Sequence, residues 1–317
     1  MNPSTKPFPV PISYFGMALG STAWGLSWRF GASAGLAPVW LGEVMLAVVG
    51  VVWLSLMIGF VIKLLGYRQE LLADLHDPVR CCFLSMVPIT TILTGMSLLP
   101  YLYGLGLTMI VLGTLGQLSF AMYRSGGLWR GGHSMEATTP VIYLPTVGAG
   151  FVSAMACKAI GLPDYGMLFF GAGMLSWFGL EAAILLRLRI EQPLPPPMRG
   201  VLGITVAPSF VAGSAYLEIN GGHVDAFALM VLGYGILHTL FSIRLLPWLT
   251  EGGFSMSLWG YSFAMAAMTG CGLRLVALHP PLQGLGWVLA AFGSAVMLLL
   301  VMFTVRLALQ GRFLVRG

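Results

Sequence analysis

Long apolar stretches separated by polar links recur along the whole 317-residue chain. Ten such runs occupy roughly 12–30, 38–65, 81–99, 100–123, 140–160, 165–188, 201–219, 224–246, 255–276 and 283–309. Most reach the roughly 20 residues that a bilayer-spanning helix needs, so the pattern predicts an all-α polytopic membrane protein with ten transmembrane helices. Between the third and fourth runs, Pro100 and Gly104 favour a tight turn over one long helix. Links such as 161–164 and 220–223 are short, whereas 66–80 and 192–200 are longer and more polar. This alternation groups the helices into five hairpins within a single transmembrane domain over 1–317.

The interruptions within the runs carry a second signal. Of nineteen prolines, Pro88, Pro145 and Pro208 lie well inside odd-numbered runs, about 60 residues apart. Proline removes a backbone donor and clashes with the preceding turn. In a membrane it persists where neighbouring helices or a water-lined cavity compensate the break. The first and ninth runs carry Phe15, Gly16 and Gly20, and Ser262 and Phe263, at a similar depth. Breaks at corresponding repeat positions point to a transport path. The odd helices are therefore expected to form a central pore lined by Phe15, Gly16, Gly20, Pro88, Thr91, Pro145, Thr146, Pro208, Ser209 and Ser262.

Composition strengthens the membrane reading: 57% of residues are hydrophobic, only 9% are charged, and the mean hydropathy is +0.88. Positive residues accumulate on cytoplasmic loops. With ten spans and a cytoplasmic N-terminus, that side receives Lys6, Lys63, Arg68, Arg80, Arg124, Arg130, Arg187, Arg189, Arg199, Arg244, Arg306, Arg312 and Arg316, leaving only Arg29, Lys158 and Arg274 opposite. Both termini are expected in the cytoplasm. The first run is longer than the 7 to 15 residue core of a signal peptide and is broken by glycines and tryptophans, so it reads as a retained span.

Candidate chemistry is sparse. The four cysteines and five histidines show no metal-ligand spacing, and the adjacent Cys81 and Cys82 supply no lowered pKa or access by adjacency alone. No catalytic constellation and no cofactor site is expected. The centres of the odd helices lack Asp, Glu, Lys, Arg and His. An uncharged lining with basic mouths suits a channel for anions better than a pump with a proton-relay carboxylate. Glu181, inside the sixth run, is the intramembrane carboxylate that a carrier would use. Its place on an even helix near a membrane boundary favours a structural role.

Short motifs in fixed order extend the picture. They include Lys6-Pro7-Phe8-Pro9, Tyr14-Phe15-Gly16, Val87-Pro88-Ile89-Thr90-Thr91, Tyr143-Leu144-Pro145, Val206-Ala207-Pro208-Ser209-Phe210, Leu246-Pro247-Trp248 and Trp259-Gly260-Tyr261-Ser262-Phe263. Together they resemble the bacterial tellurite-resistance and dicarboxylate transporter family, which includes the plant guard-cell slow anion channels. The resemblance implies a homotrimer with one pore per protomer, each plugged by a phenylalanine on the ninth helix. The matching gate is Phe263, with Gly16 giving close backbone approach beside its ring. Ala264 follows the gate where the family pattern expects glycine.

The resulting expectation is a multi-pass channel of the bacterial inner membrane that conducts small inorganic anions and is linked by family to tellurite resistance. Its partners would be anions, membrane lipid and further copies of itself, with no nucleic acid. The alternative is a proton-coupled dicarboxylate or oxyanion carrier.

Overall fold

Apolar segments in a bilayer have no water to satisfy their peptide groups, and winding into helices is the local solution. The computed structural model describes residues 8–314 and contains no strand among them. Lys6, Pro7 and Arg316, used above, lie outside the described residues. The α-helices are α1 (Phe15–Ser33), α2 (Val39–Gly66), α3 (Arg68–His76), α4 (Met86–Leu98), α5 (Tyr103–Leu128), α6 (Ala149–Ala159), α7 (Pro163–Ile190), α8 (Ala207–Ile219), α9 (Ala226–Arg244), α10 (Leu246–Leu249), α11 (Ser262–Leu278) and α12 (Gln283–Leu309).

Among the described residues nine helical segments are long and apolar enough to cross a membrane, which makes this a multi-pass membrane protein. The first apolar run is not one of the nine. Its helix α1 is rich in Gly and Ser, and most of its residues from Phe15 to Gly25 are buried against protein. The 66–80 link also differs from a plain polar loop, because it contains the short helix α3.

Prolines reshape the inner segments. Pro140–Tyr143 and Pro196–Thr205 are 3₁₀ turns that lead towards α6 and α8, and Leu144–Gly148 around Pro145 is wound as a single π turn. Arg80–Ser85 and Met256–Tyr261 likewise run as 3₁₀ turns into α4 and α11, and Ile12–Tyr14 into α1. The side-chain amide of Gln117 on α5 donates to the Pro145 carbonyl, supplying a partner inside the protein at the irregular turn.

Burial divides the spans into two layers. Those containing α4, α6, α8 and α11 are 67% to 89% buried, whereas α2, α5, α7, α9 and the span ending in α12 are 11% to 33% buried. Each inner helix packs on the outer helix that follows it, as α1 on α2, α4 on α5, α6 on α7, α8 on α9 and α11 on α12. The inner helices also touch in a closed order, α1 to α4, α6, α8, α11 and back to α1.

Small residues permit these approaches, the usual means of association where lipid leaves little hydrophobic drive between helices. A Cβ on Gly272 of α11 would sit 2.5 Å from the carbonyl oxygen of Gly286 on α12, and one on Gly286 would sit 2.7 Å from the carbonyl of Gly272. The α1–α11 seam is joined by the Ser27 hydroxyl, which donates to the Ala266 carbonyl at 3.1 Å.

Candidate functional site

The inner ring encloses two cavities. The first, about 500 Å³, lies where the 3₁₀ lead-ins meet the α-helices and extends towards Tyr14, whose hydroxyl donates to the Phe313 carbonyl at 2.6 Å. Its wall includes Gly16 and Leu19 from α1, Met86 from α4, Pro208 from α8 and Phe263 from α11. Ser13, Tyr14, Ser255 and Ser257 add hydroxyls, and no Asp, Glu, Lys, Arg or His lines it among the described residues.

The second cavity, about 440 Å³, lies towards the far ends of α1 and α11 and is lined by Leu26, Ser27, Ser214 and Ala267 together with Arg29, Arg274 and Glu218. Among the described residues, the two cavities share only Phe263 and Val211 in their walls. Both side chains are buried, Phe263 in the first turn of α11 and Val211 in α8. Phe263 and Val211 thus border both an uncharged cavity and a charged one.

The sequence-derived lining residues divide by helix face. Gly16, Pro208 and Phe263 border the first cavity. Phe15 instead meets Phe60 of α2 edge to face, with ring centroids 6.3 Å apart. Gly20 packs against Ser262, where a β-carbon would collide with the serine side chain. Pro88 and Thr91 face a separate groove of about 400 Å³ shared with Gly113, Gly116 and Phe120 of α5.

Pro145 lies in the π turn, and the Thr146 hydroxyl next to it is buried without a protein partner. Ser209 donates to the Val206 carbonyl at 3.0 Å, and a β-carbon on Gly235 of α9 would lie 2.7 Å from its Oγ. Ser262 shares its single hydroxyl proton between the Gly16 carbonyl at 3.0 Å and the Trp259 carbonyl at 2.6 Å. A β-carbon built on Gly16 would meet Trp259 at 3.7 Å and Met86 at 3.9 Å, ordinary van der Waals contact, so these neighbours do not require a glycine there.

Charge at the far end is more balanced than the cation positions alone suggest. Arg29 holds Glu43 with two bonds, Nε to Oε1 at 2.6 Å and Nη2 to Oε2 at 2.7 Å, and donates through Nη1 to the Ser97 carbonyl at 2.9 Å. Arg274 donates to Glu218 Oε2 at 3.0 Å and lies 4.5 Å from the centre of the Phe30 ring. Arg29 and Arg274 border the second cavity, whereas Lys158 is not part of its wall.

Glu181 is at the centre of a group that the linear pattern did not assemble. It accepts from the Tyr143 hydroxyl, from Trp177 Nε1 at 2.7 Å and from the Tyr234 hydroxyl at 2.5 Å, with His238 Nε2 at 3.9 Å. Tyr143 also borders the first cavity. Trp177 lies one helical turn before Glu181 on α7, so that donor is readable from spacing, whereas Tyr143 and Tyr234, 38 and 53 residues away, could be found only by folding α7 and α9 against the Pro140–Tyr143 turn. Among the described residues no group of three His, Cys, Asp or Glu side chains is arranged to hold a metal.

Comparison with known proteins adds a separate line of evidence. The family model described as voltage-dependent anion channel, SLAC1, matches residues 9–305. The chain is 38% identical over 313 residues to the tellurite resistance protein TehA homolog of Haemophilus influenzae, covering 98% of this chain and 95% of that protein. It is 23% identical over 279 residues to the S-type anion channel SLAH3 of Arabidopsis thaliana, covering 83% of this chain and 43% of that one. For SLAH2 of the same plant the identity is 22% over 297 residues, with 86% and 54% covered.

Proposed function

Because the chain belongs to the SLAC1 family of voltage-dependent anion channels, we propose that it is an anion-selective channel of the bacterial inner membrane, with Phe263 closing a conduit along the axis of the inner helices. In this reading α1 is the tenth span. The five contacting pairs of inner and outer helices are five hairpins, both termini are cytoplasmic, and three copies assemble with one pore each.

The observation that carries the proposal is that Phe263 and Val211 are the residues shared by the walls of two otherwise separate cavities. Swinging the Phe263 ring aside joins the chambers, whereas moving a residue from either wall alone only enlarges one. The first chamber offers hydroxyls and apolar surface without fixed charge, so an anion crosses it without a deep trap. Selection then rests on size and dehydration cost, which favours small monovalent anions. Tellurite resistance follows as a consequence of oxyanion passage.

Electrical recording of the purified protein in lipid, with and without the Phe263 ring, tests this reading. The competing carrier mechanism requires Glu181 to exchange protons with the path. Hydrogen bonds from Tyr143, Trp177 and Tyr234 instead tie its carboxyl group into the helix packing, which supports a structural role.

A further inference from the structure

The two ion pairs beside the second cavity differ in a way that bears on the passing ion. Arg29 uses three of its five N–H donors, two on Glu43 and one on the Ser97 carbonyl, and Glu43 is not itself part of the cavity wall. Arg274 and Glu218, by contrast, are both wall residues. Among the described residues they share one bond, of 3.0 Å, and the further contact of Arg274 Nη1 with the Gly270 carbonyl is a long 3.4 Å. Phe30 supports one face of the guanidinium at 4.5 Å.

A guanidinium presents five donors in a fixed fork, so Arg274 keeps hydrogen-bonding capacity directed away from its single carboxylate bond. An anion in this cavity meets a cation and a carboxylate of opposite sign side by side. We infer that Glu218 sets the anion occupancy of the second cavity, competing with a small inorganic anion for Arg274. This inference rests on the conducting role proposed above and names the residue pair that regulates entry into that path. Glu218 also repels the ion while it holds the arginine, so removing its charge both frees a binding group and lifts a barrier.

A single unit charge about 10 Å away in water changes local ion occupancy about twofold, and low-dielectric walls enlarge the effect. Screening removes it, since the Debye length falls from about 30 Å at 0.01 M to about 3 Å at 1 M salt.

The test uses the full-length protein in planar lipid with Phe263→Ala as the parent, so that the gate does not limit the current. At about 0.01 M chloride, adding Glu218→Gln should raise unitary anion conductance about twofold or more, and adding Arg274→Gln should lower it comparably. The double variant, with the parent's net charge, should fall between them. At about 1 M chloride the four proteins should converge. A fall in conductance with Glu218→Gln as well as with Arg274→Gln, or differences that persist at high salt, would overturn the inference and mark the pair as a packing contact.

If the parent carries no anion current, it is the conduction reading that fails. Equilibrium iodide binding to the purified proteins then decides the charge competition by itself: Glu218→Gln must bind more tightly than its parent, and equal or weaker binding overturns it. Glu218→Thr provides a second neutral variant that must move in the same direction.

Discussion

The Ser262 hydroxyl donates to the Gly16 carbonyl at 3.0 Å, tying the residue immediately before Phe263 to the first turn of α1. Its contact with the Trp259 carbonyl at 2.6 Å ties the same residue to the preceding 3₁₀ turn. The backbone beneath the Phe263 ring is thus anchored from two sides. A buried hydrogen bond of this kind contributes about 1 kcal/mol, which corresponds to roughly a fivefold change in an opening equilibrium. Ser262→Ala should therefore raise the basal anion current several-fold while leaving anion selectivity unchanged. In a Phe263→Ala background the same substitution should add almost nothing.

Glu181 has three hydrogen-bond donors around its carboxylate. A glutamine retains the shape but offers one acceptor oxygen, so at least one donor loses its partner. Glu181→Gln should lower stability by about 1–3 kcal/mol, read as an earlier unfolding transition in detergent. Its anion reversal potential should match that of the unsubstituted protein, and a transmembrane pH gradient should drive no anion movement in either. Proton-coupled uptake that vanishes in Glu181→Gln would support the carrier mechanism.

Acid should act first on the α3 junction. Burial raises the Glu70 carboxyl, but the Phe8 N–H at 2.9 Å and the Lys63 ammonium at 2.9 Å outweigh it and hold the group below its usual range. Asp77 has the same direction, with burial outweighed by the backbone N–H and side chain of Arg80. A depressed carboxylate contributes stability that is complete above its unfolded value, about 4, and is lost as pH falls through the lower folded value. Amide exchange in α3, taken relative to its intrinsic rate at each pH, should stay flat between about pH 7 and pH 5 and accelerate below about pH 4. Glu70→Gln should reduce that acceleration.

Depth along the membrane was legible in the residues; direction around a helix was not. Pro88, Pro145, Pro208 and Phe263 mark irregular or helix-starting positions in the inner segments, as their spacing implies. Yet Pro88 and Thr91 face the α5 groove, and Ser209 faces Gly235. An inner helix is apolar on every side, so no amphipathic stripe distinguishes the face towards a cavity from the face towards a neighbour. α1 is less apolar than the nine spans because Arg29 and its glycines, serines and threonine interrupt the apolar side chains, and small residues of this kind suit contact with other helices. Trp177 is an i,i+4 neighbour of Glu181, but Tyr143 and Tyr234 required the tertiary arrangement, because hydrogen bonds between distant helices leave no local period.

The most direct measurement is single-channel recording of purified protein in planar lipid, comparing the unsubstituted chain with Phe263→Ala. Removing the ring takes away one of the two side chains that border both cavities. The account predicts small anion-selective currents from the unsubstituted protein and a large increase in Phe263→Ala, with the reversal potential still following the anion gradient. Equal currents from the two proteins, or an increase carried by cations, would contradict it.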